Sequence, residues 1–244
     1  MRGPRQIAHP FGEGGDLPEI VLIPGLGIRG YLRPLVRMVA TWTRITMLDL
    51  PGWSVRHRQF CRARVPDIGA AAARWLEAND CRDVILLGHS TGAQAALQAA
   101  LIVPERLTGL VLAGPVFPPS LRRVRSMARA VVRTLPYESW AELPAVVPAS
   151  LASGLVPLAR LLGSGMKDRP EDLISNVATP VCVFTGRNDG VAPPDWSQRL
   201  ADAANGRFEV HPGGHNACFV DPVSVDAVLR RAVEYCVHRS RRSG

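Results

Sequence analysis

The residues best suited to chemistry are Gly88-His89-Ser90-Thr91-Gly92. They follow the apolar run Val84-Ile85-Leu86-Leu87 and precede Ala93-Gln94-Ala95-Ala96-Leu97-Gln98-Ala99-Ala100. That order reads as strand, sharp turn and helix. A serine on such a turn is held in a strained backbone conformation with its hydroxyl clear of the sheet. The glycines two before and two after it remove side chains that would collide where strand and helix meet. The helix N-terminus behind the turn aims free N–H groups at negative charge developing there. The competing reading is a serine in an ordinary glycine-rich strand–helix turn.

A serine nucleophile needs a histidine base, a carboxylate behind the histidine and donors for an oxyanion. Two later segments supply the first two. The apolar run Val181-Cys182-Val183-Phe184 leads through Thr185-Gly186-Arg187-Asn188 to Asp189, and Phe208-Glu209-Val210-His211 leads through Pro212-Gly213-Gly214 to His215. Both residues fall just past the C-terminal end of a strand, where an open α/β sheet keeps its site. Asp189 has a rival role as cap of the helix beginning near Pro193 or Pro194. Asp195 is the nearest rival acid but sits in that helix start. The other acid position, past the strand Leu107–Ala113, reads Gly114-Pro115-Val116-Phe117-Pro118-Pro119 and has no carboxylate. His211 competes with His215 as base, but it ends its strand while His215 lies in the glycine loop. His89 is expected to point away from Ser90 and pack, and Asp49 to be a turn residue.

With these residues in this order, the chain resembles a serine hydrolase of the α/β-hydrolase superfamily from about Glu19 to its C-terminal helix. The resemblance implies an α/β-hydrolase fold, with a mostly parallel central sheet, helices on both faces and a small helical lid. It implies Ser90 as nucleophile, Asp189 as acid and His215 as base. Ile20-Val21-Leu22-Ile23-Pro24-Gly25-Leu26-Gly27 resembles the family's strand and oxyanion loop, with Pro-Gly where His-Gly is more usual. Leu48-Asp49-Leu50-Pro51-Gly52-Trp53-Ser54 resembles its Asp-x-Pro-Gly segment. The implied oxyanion donors are the backbone N–H groups of Leu26 and Thr91, with Gly25 and Gly27 letting the loop approach substrate. No metal or organic cofactor is implied. The implied reaction is hydrolysis of a carboxylic ester, thioester or lactone through an acyl-enzyme. C–C bond hydrolysis, or a lyase or cyclase reaction, on the same residues is an alternative. A ligand-binding receptor or pseudoenzyme that keeps the fold is another.

The elements that must position these residues follow from patterning. Strands are predicted at about 19–24, 44–49, 83–88, 107–113, 180–186 and 206–211, and helices at about 31–41, 66–78, 91–103, 194–204 and 221–238. Their alternation argues a parallel sheet. Residues 1–18 read as loop with one short strand around Gln6–His9. Residues 1–115 and 173–244 form the expected core, and 116–172, which do not alternate, the inserted helical lid. A chain of 244 residues buries a large core. Its five cysteines, without metal-ligand spacing, read as free thiols of a reducing compartment. Cys218 in particular is expected in the core. No signal peptide is evident, and the apolar stretch Ala145–Leu162 is broken by Pro148 and Pro157. The expectation is a cytoplasmic enzyme without a membrane span.

The net charge is +8, and part of it gathers in the predicted lid. Leu121, Val124, Ala128, Val131 and Leu135 are predicted on one helical face, and Arg122, Arg125, Arg129 and Arg133, joined by Arg123, on the other. A solvated basic face is the plainer reading. The sharper one has Arg125 and Arg129 recognising an anionic group on a small acyl substrate, or an acidic carrier protein. Nucleic acid is not expected, because the arginines are not interleaved with aromatics and no binding motif accompanies them.

Overall fold

The computed structural model describes residues 8–13, 17–52, 60–139 and 154–243. Its strands are β1 (Ala8–Phe11), β2 (Ile20–Ile23), β3 (Ile45–Leu48), β4 (Val84–His89), β5 (Leu107–Ala113), β6 (Val181–Gly186) and β7 (Arg207–His211). They form one sheet in the order β1-β3-β2-β4-β5-β6-β7. β1 pairs antiparallel with β3, and every other pairing is parallel. The strands β2 to β6 are buried along their whole length. That is why they read as continuous Ile, Val and Leu runs rather than as alternating patterns. The edge strand β1 tolerates Pro10, which has no N–H to donate.

Successive side chains of a strand enter opposite faces, so the sheet carries two cores. On one face Val21, Ile23, Leu86 and Leu112 pack against α2 (Val65–Ala78), α3 (Thr91–Ile102) and α6 (Pro194–Ala203). On the other, Ile20, Leu22, Ile85 and Leu87 pack against α1 (Arg33–Val39) and α7 (Pro222–Ser243). The strand order reverses between β2 and β4. The chain steps from β2 to β3 on one side and returns to β4 on the other. The crevice at the C-terminal ends of β2 and β4 is therefore the topological switch point, where open α/β sheets hold their ligands.

The six later strands lie within one residue of their predicted spans. The first does not. It runs from Ala8 to Phe11 rather than around Gln6–His9, because it pairs residue for residue with Leu48 back to Ile45. Gln6 lies outside the described residues. All five cysteines are free, and Cys218 is buried as expected. Among the described residues no helix is long and apolar enough to cross a membrane.

Between β5 and β6 lie α4 (Val124–Thr134) and α5 (Leu155–Lys167), followed by a single helical turn at Pro170–Leu173. The part of the expected lid at 140–153 is outside the described residues. The two-faced pattern predicted for α4 is corrected to three strips. Ala130 and Thr134 are buried. Val124 and Val132 are exposed, and Val131 and Leu135 remain 43% and 48% exposed. Arg125, Arg129 and Arg133 form a third, solvent-facing strip. Leu121 and Arg122 precede the helix. Arg122 is half-buried in an ion pair with Glu171 at 2.7 Å, so it does not belong to the basic strip.

At the foot of α5, Asp168 Oδ1 accepts a hydrogen bond from Gln98 Nε2 at 2.9 Å, while its Oδ2 is buried without a partner. Burial pushes this carboxyl up to about 6, against the opposing effect of the Gln98 bond. A raised acid favours the fold while protonated, and that benefit is lost as pH rises through about 6. Asp168→Asn should therefore gain on the order of 1–3 kcal/mol over wild type between pH 4 and pH 8, read from paired denaturant melts.

Candidate active site

Ser90 sits between β4 and α3 with φ 58° and ψ −125°, a strained conformation for a residue with a side chain. The turn survives because its neighbours leave room. A Cβ on Gly88 would lie 2.3 Å from the Gly92 carbonyl oxygen, and one on Gly92 would lie 2.2 Å from that of Ile23. The Ser90 N–H donates to Ala113 O at 2.9 Å, tying the turn to β5.

The structure brings three predicted residues into one hydrogen-bonded line. Ser90 Oγ lies 2.9 Å from His215 Nε2, and His215 Nδ1 lies 2.7 Å from Asp189 Oδ2. Asp189 also accepts the N–H groups of Val191 at 2.9 Å and Ala192 at 2.8 Å on Oδ1. Burial alone would raise this carboxyl, but His215 and these donors outweigh it and hold Asp189 below its usual range. An ionised Asp189 only accepts, so the Nδ1 proton belongs to His215 and Nε2 is free to take the Ser90 proton. The arrangement can deprotonate a serine hydroxyl and attack an acyl carbonyl.

The rival residues lie elsewhere. Asp195 pairs with Arg199 at 2.9 Å on exposed α6. His211 ends β7, buried, with Nδ1 at 2.6 Å from Pro212 O. Asp49 pairs with Arg29 at 3.3 Å.

His89 packs away from Ser90, but it also does something the sequence reading missed. Its Nε2 faces His215 O at 3.1 Å, and a carbonyl can only accept, so Nε2 carries the proton. The bare Nδ1 then accepts from Tyr31 Oη–H at 2.7 Å, and Tyr31 Oη accepts the Gly25 N–H at 3.1 Å. One neutral imidazole thus links the loop after β2 to the backbone of His215. Burial, aided by the charge of His215, pushes His89 down to about 3. The available signal was a histidine closing an otherwise apolar strand, since a buried imidazole needs two partners.

The loop Gly25-Leu26-Gly27 lies against this turn. A Cβ on Gly25 would stand 2.7 Å from Ser90 Cβ, so this glycine lets the loop approach the serine itself. Leu26 is left-handed at φ 50°, followed by Gly27 at φ 67°. The Leu26 N–H donates to Thr91 Oγ1 at 2.8 Å. The Thr91 N–H lies in the first turn of α3, where N–H groups have no intrahelical partner.

Above Ser90 opens a cavity of about 370 Å³. Its walls are mainly apolar, with Ile28, Val116, Phe117, Met127, Leu162 and Val191 supplying most of them. Val131 and Leu135, both partly exposed, also line it, while Arg125 and Arg129 are not among its lining residues. Among the described residues lining it there is no Arg or Lys, and Glu138 is the one carboxylate.

The sequence model of the Alpha/beta hydrolase family matches residues 20–228. The 2-hydroxy-6-oxononadienedioate/2-hydroxy-6-oxononatrienedioate hydrolase 2 of Pseudomonas putida is 34% identical over 110 residues. That match covers 43% of this chain but only 38% of the relative. The pimeloyl-[acyl-carrier protein] methyl ester esterase of Aliivibrio salmonicida (strain LFI1238) is 30% identical over 217 residues, 75% of this chain and 77% of that one. Among solved structures, a thermophilic esterase from Thermogutta terrifontis superposes with a TM-score of 0.70 at 18% identity, covering 94% of this chain and 93% of that chain. At that identity the likeness speaks for the fold.

His89 gives the site a pH signature in stability. Unfolded, it takes up a proton below its ordinary value of 6.5, whereas folded it stays neutral down to about 3. Lowering pH through that window therefore favours the unfolded chain, by up to about 1.4 kcal/mol per pH unit. His89→Gln, which does not titrate, should show a shallower loss of Tm between pH 6.5 and pH 4 than wild type, measured by thermal melts in matched buffers.

Proposed function

The chain belongs to the Alpha/beta hydrolase family, and from that premise we propose that it hydrolyses carboxylic esters, with thioesters and lactones as chemical neighbours, whose acyl group is apolar. The observation that carries this reading is the Asp189–His215–Ser90 line opening into an apolar cavity. In this reading His215 takes the Ser90 proton as Oγ attacks the carbonyl carbon. The N–H groups of Thr91 and Leu26 receive the oxyanion, Leu26 by exchanging its bond to Thr91 Oγ1. His215 then protonates the leaving alkoxide, and a water activated by the same imidazole releases the acid. Asp189 stabilises the imidazolium. The β5–β6 segment is the lid that closes the acyl cavity.

C–C bond hydrolysis is the second reading, favoured by the name of the Pseudomonas putida relative. That relative is named for a dioate, and a bound dicarboxylate calls for cationic partners. The described cavity lining offers no Arg or Lys, which weighs toward an ester with a neutral acyl chain.

The test is a panel of p-nitrophenyl esters of increasing chain length with fluorophosphonate labelling. Wild type should turn over the esters and take up the probe. Ser90→Ala and His215→Ala should each lose at least about 10³-fold in kcat with little change in KM. A Ser90→Ala protein with a tenth of wild-type activity would remove Ser90 from the mechanism, and unlabelled, inactive wild type would favour a ligand-binding role.

The exposed strip Arg125, Arg129 and Arg133 lies on α4, the helix that also gives Val131 to the cavity lining, and the Aliivibrio salmonicida relative is named for a carrier-linked ester. We extend the proposal to an anionic acyl donor or acidic carrier protein met by this strip outside the cavity. Charges at an exposed surface are screened over about 8 Å at physiological ionic strength. Added salt should therefore lower kcat/KM for a carrier-linked ester and spare p-nitrophenyl acetate. Replacing Arg125 and Arg129 by Gln should flatten the first salt curve, and identical curves in both proteins would count against the strip.

A further inference from the structure

The peptide of His215 is gripped from both sides. Its carbonyl accepts from His89, and its N–H donates to Glu138 Oε1 at 2.7 Å. The next N–H, of Asn216, lies 3.1 Å from each Glu138 oxygen. Glu138 does not come from the loop that carries the base. It follows α4 and the turn Leu135–Tyr137 in the β5–β6 segment, 77 residues earlier. The loop is shaped to admit it. A Cβ on Gly214 would stand 2.6 Å from Glu138 Oε1 and 3.1 Å from Tyr137 Cβ. One helical turn before Glu138, Thr134 Oγ1 accepts the N–H of Gly190, the residue after Asp189, at 3.0 Å. The same end of α4 therefore bonds the backbone of both the acid loop and the base loop.

We propose that Glu138 is a positioning residue for His215, holding the Asp189–His215–Ser90 line in register from outside the loop that carries the base. This role rests on Ser90, His215 and Asp189 acting as proposed above. The loop Pro212-Gly213-Gly214 cannot fix His215 itself, because Gly213 at φ 98° and Gly214 lack the side chains that would restrict it. A carboxylate holding two successive N–H groups supplies that restriction through charge-assisted hydrogen bonds. It also explains a carboxylate beside an apolar cavity. Its charge is spent on the backbone, and a neutral acyl chain passes it without needing a countercharge. Glu138 touches no reacting atom in this account and acts through the imidazole it steadies.

The experiment uses the full chain with Glu138→Ala, Glu138→Gln and Glu138→Asp. It reads kcat and KM for p-nitrophenyl butyrate, the rate of fluorophosphonate labelling at Ser90, and Tm. Gln keeps the reach and an accepting carbonyl, whereas Asp keeps the charge but is one methylene short. Glu138→Ala and Glu138→Asp should lower kcat and labelling rate about tenfold or more with KM within about twofold, and Glu138→Gln, which keeps one accepting oxygen at full reach but not the charge, should recover part of the loss. Wild-type kcat in Glu138→Ala, a loss confined to KM, or recovery by Asp but not Gln each overturns the proposal. Should Glu138→Ala fail to fold, the Gln and Asp variants carry the same comparison. Ser90→Ala run alongside separates the two readings. If wild type is labelled at Ser90 and the Glu138 variants match it, positioning fails alone. If wild type is not labelled, the reading of the site fails and takes this one with it.

Discussion

His215 must cross the sheet to meet Ser90. It leaves the end of β7, while Ser90 stands at the end of β4, with β5 and β6 between them. Three strand spacings amount to roughly 14 Å, far beyond the reach of an imidazole from its own strand. The hydrogen bond between them at 2.9 Å therefore requires the loop after β7 to fold back over the top of the sheet. Much of the local chemistry answers this requirement. Gly114, at the end of β5, clears the ground beneath the ring: a Cβ there would lie 3.2 Å from His215 Cε1. Asp189 reaches inward from β6 to hold Nδ1, and His89 and Glu138 fix the peptide from opposite sides. A contact made by so long a detour has little intrinsic precision, so it borrows rigidity from elements that are themselves buried.

Electrostatics divides the molecule in two. The surface is strongly basic, with arginines on α4 facing solvent, yet the cavity over Ser90 is walled by aliphatic and aromatic side chains. Charges placed in such a cavity would pay a large desolvation cost unless paired. Every ionisable group found near Ser90 obeys that rule. Asp189 is saturated with donors, His89 is kept neutral, and Glu138 is engaged by backbone. Under the proposed function, selection inside would fall on shape and apolar area, while the arginine strip would meet only what approaches from outside.

The centre of the sheet, β2 to β6, was legible in the sequence because these strands are buried on both faces and spell themselves as nearly unbroken apolar runs. Ser90 and Asp189 were legible because each follows such a run in a glycine-bearing turn, and His215 because it follows the short strand β7 through a Gly-Gly loop. What stayed hidden was of another kind. The bond from Glu138 to His215 spans 77 residues, and nothing in either local pattern announces the other. Which residues of α4 are buried could not be read from the sequence, because its period admits more than one buried strip. Small Ala130 and Thr134 are buried against the acid loop at Gly190, while the larger Val124 and Val132 stay outside. Thr91 was named for its backbone, and its hydroxyl, which meets Leu26 across 65 residues, was not foreseen.

That last contact has a consequence for selectivity between states of one substrate. At rest the Leu26 N–H is neither bare nor solvated, since it already has an acceptor in Thr91 Oγ1 at 2.8 Å. An arriving ester carbonyl, a neutral acceptor of ordinary strength, gains little by displacing a hydroxyl that bonds about as well. An alkoxide-like oxygen gains much more, because hydrogen bonds to ionised acceptors are roughly twice as strong as neutral ones. Under the proposed chemistry, the exchange would be close to neutral for the bound substrate and favourable only once charge has moved onto its oxygen. A group already in use would thus discriminate by charge rather than by shape, adding binding late along the reaction coordinate and leaving the ground state largely untouched.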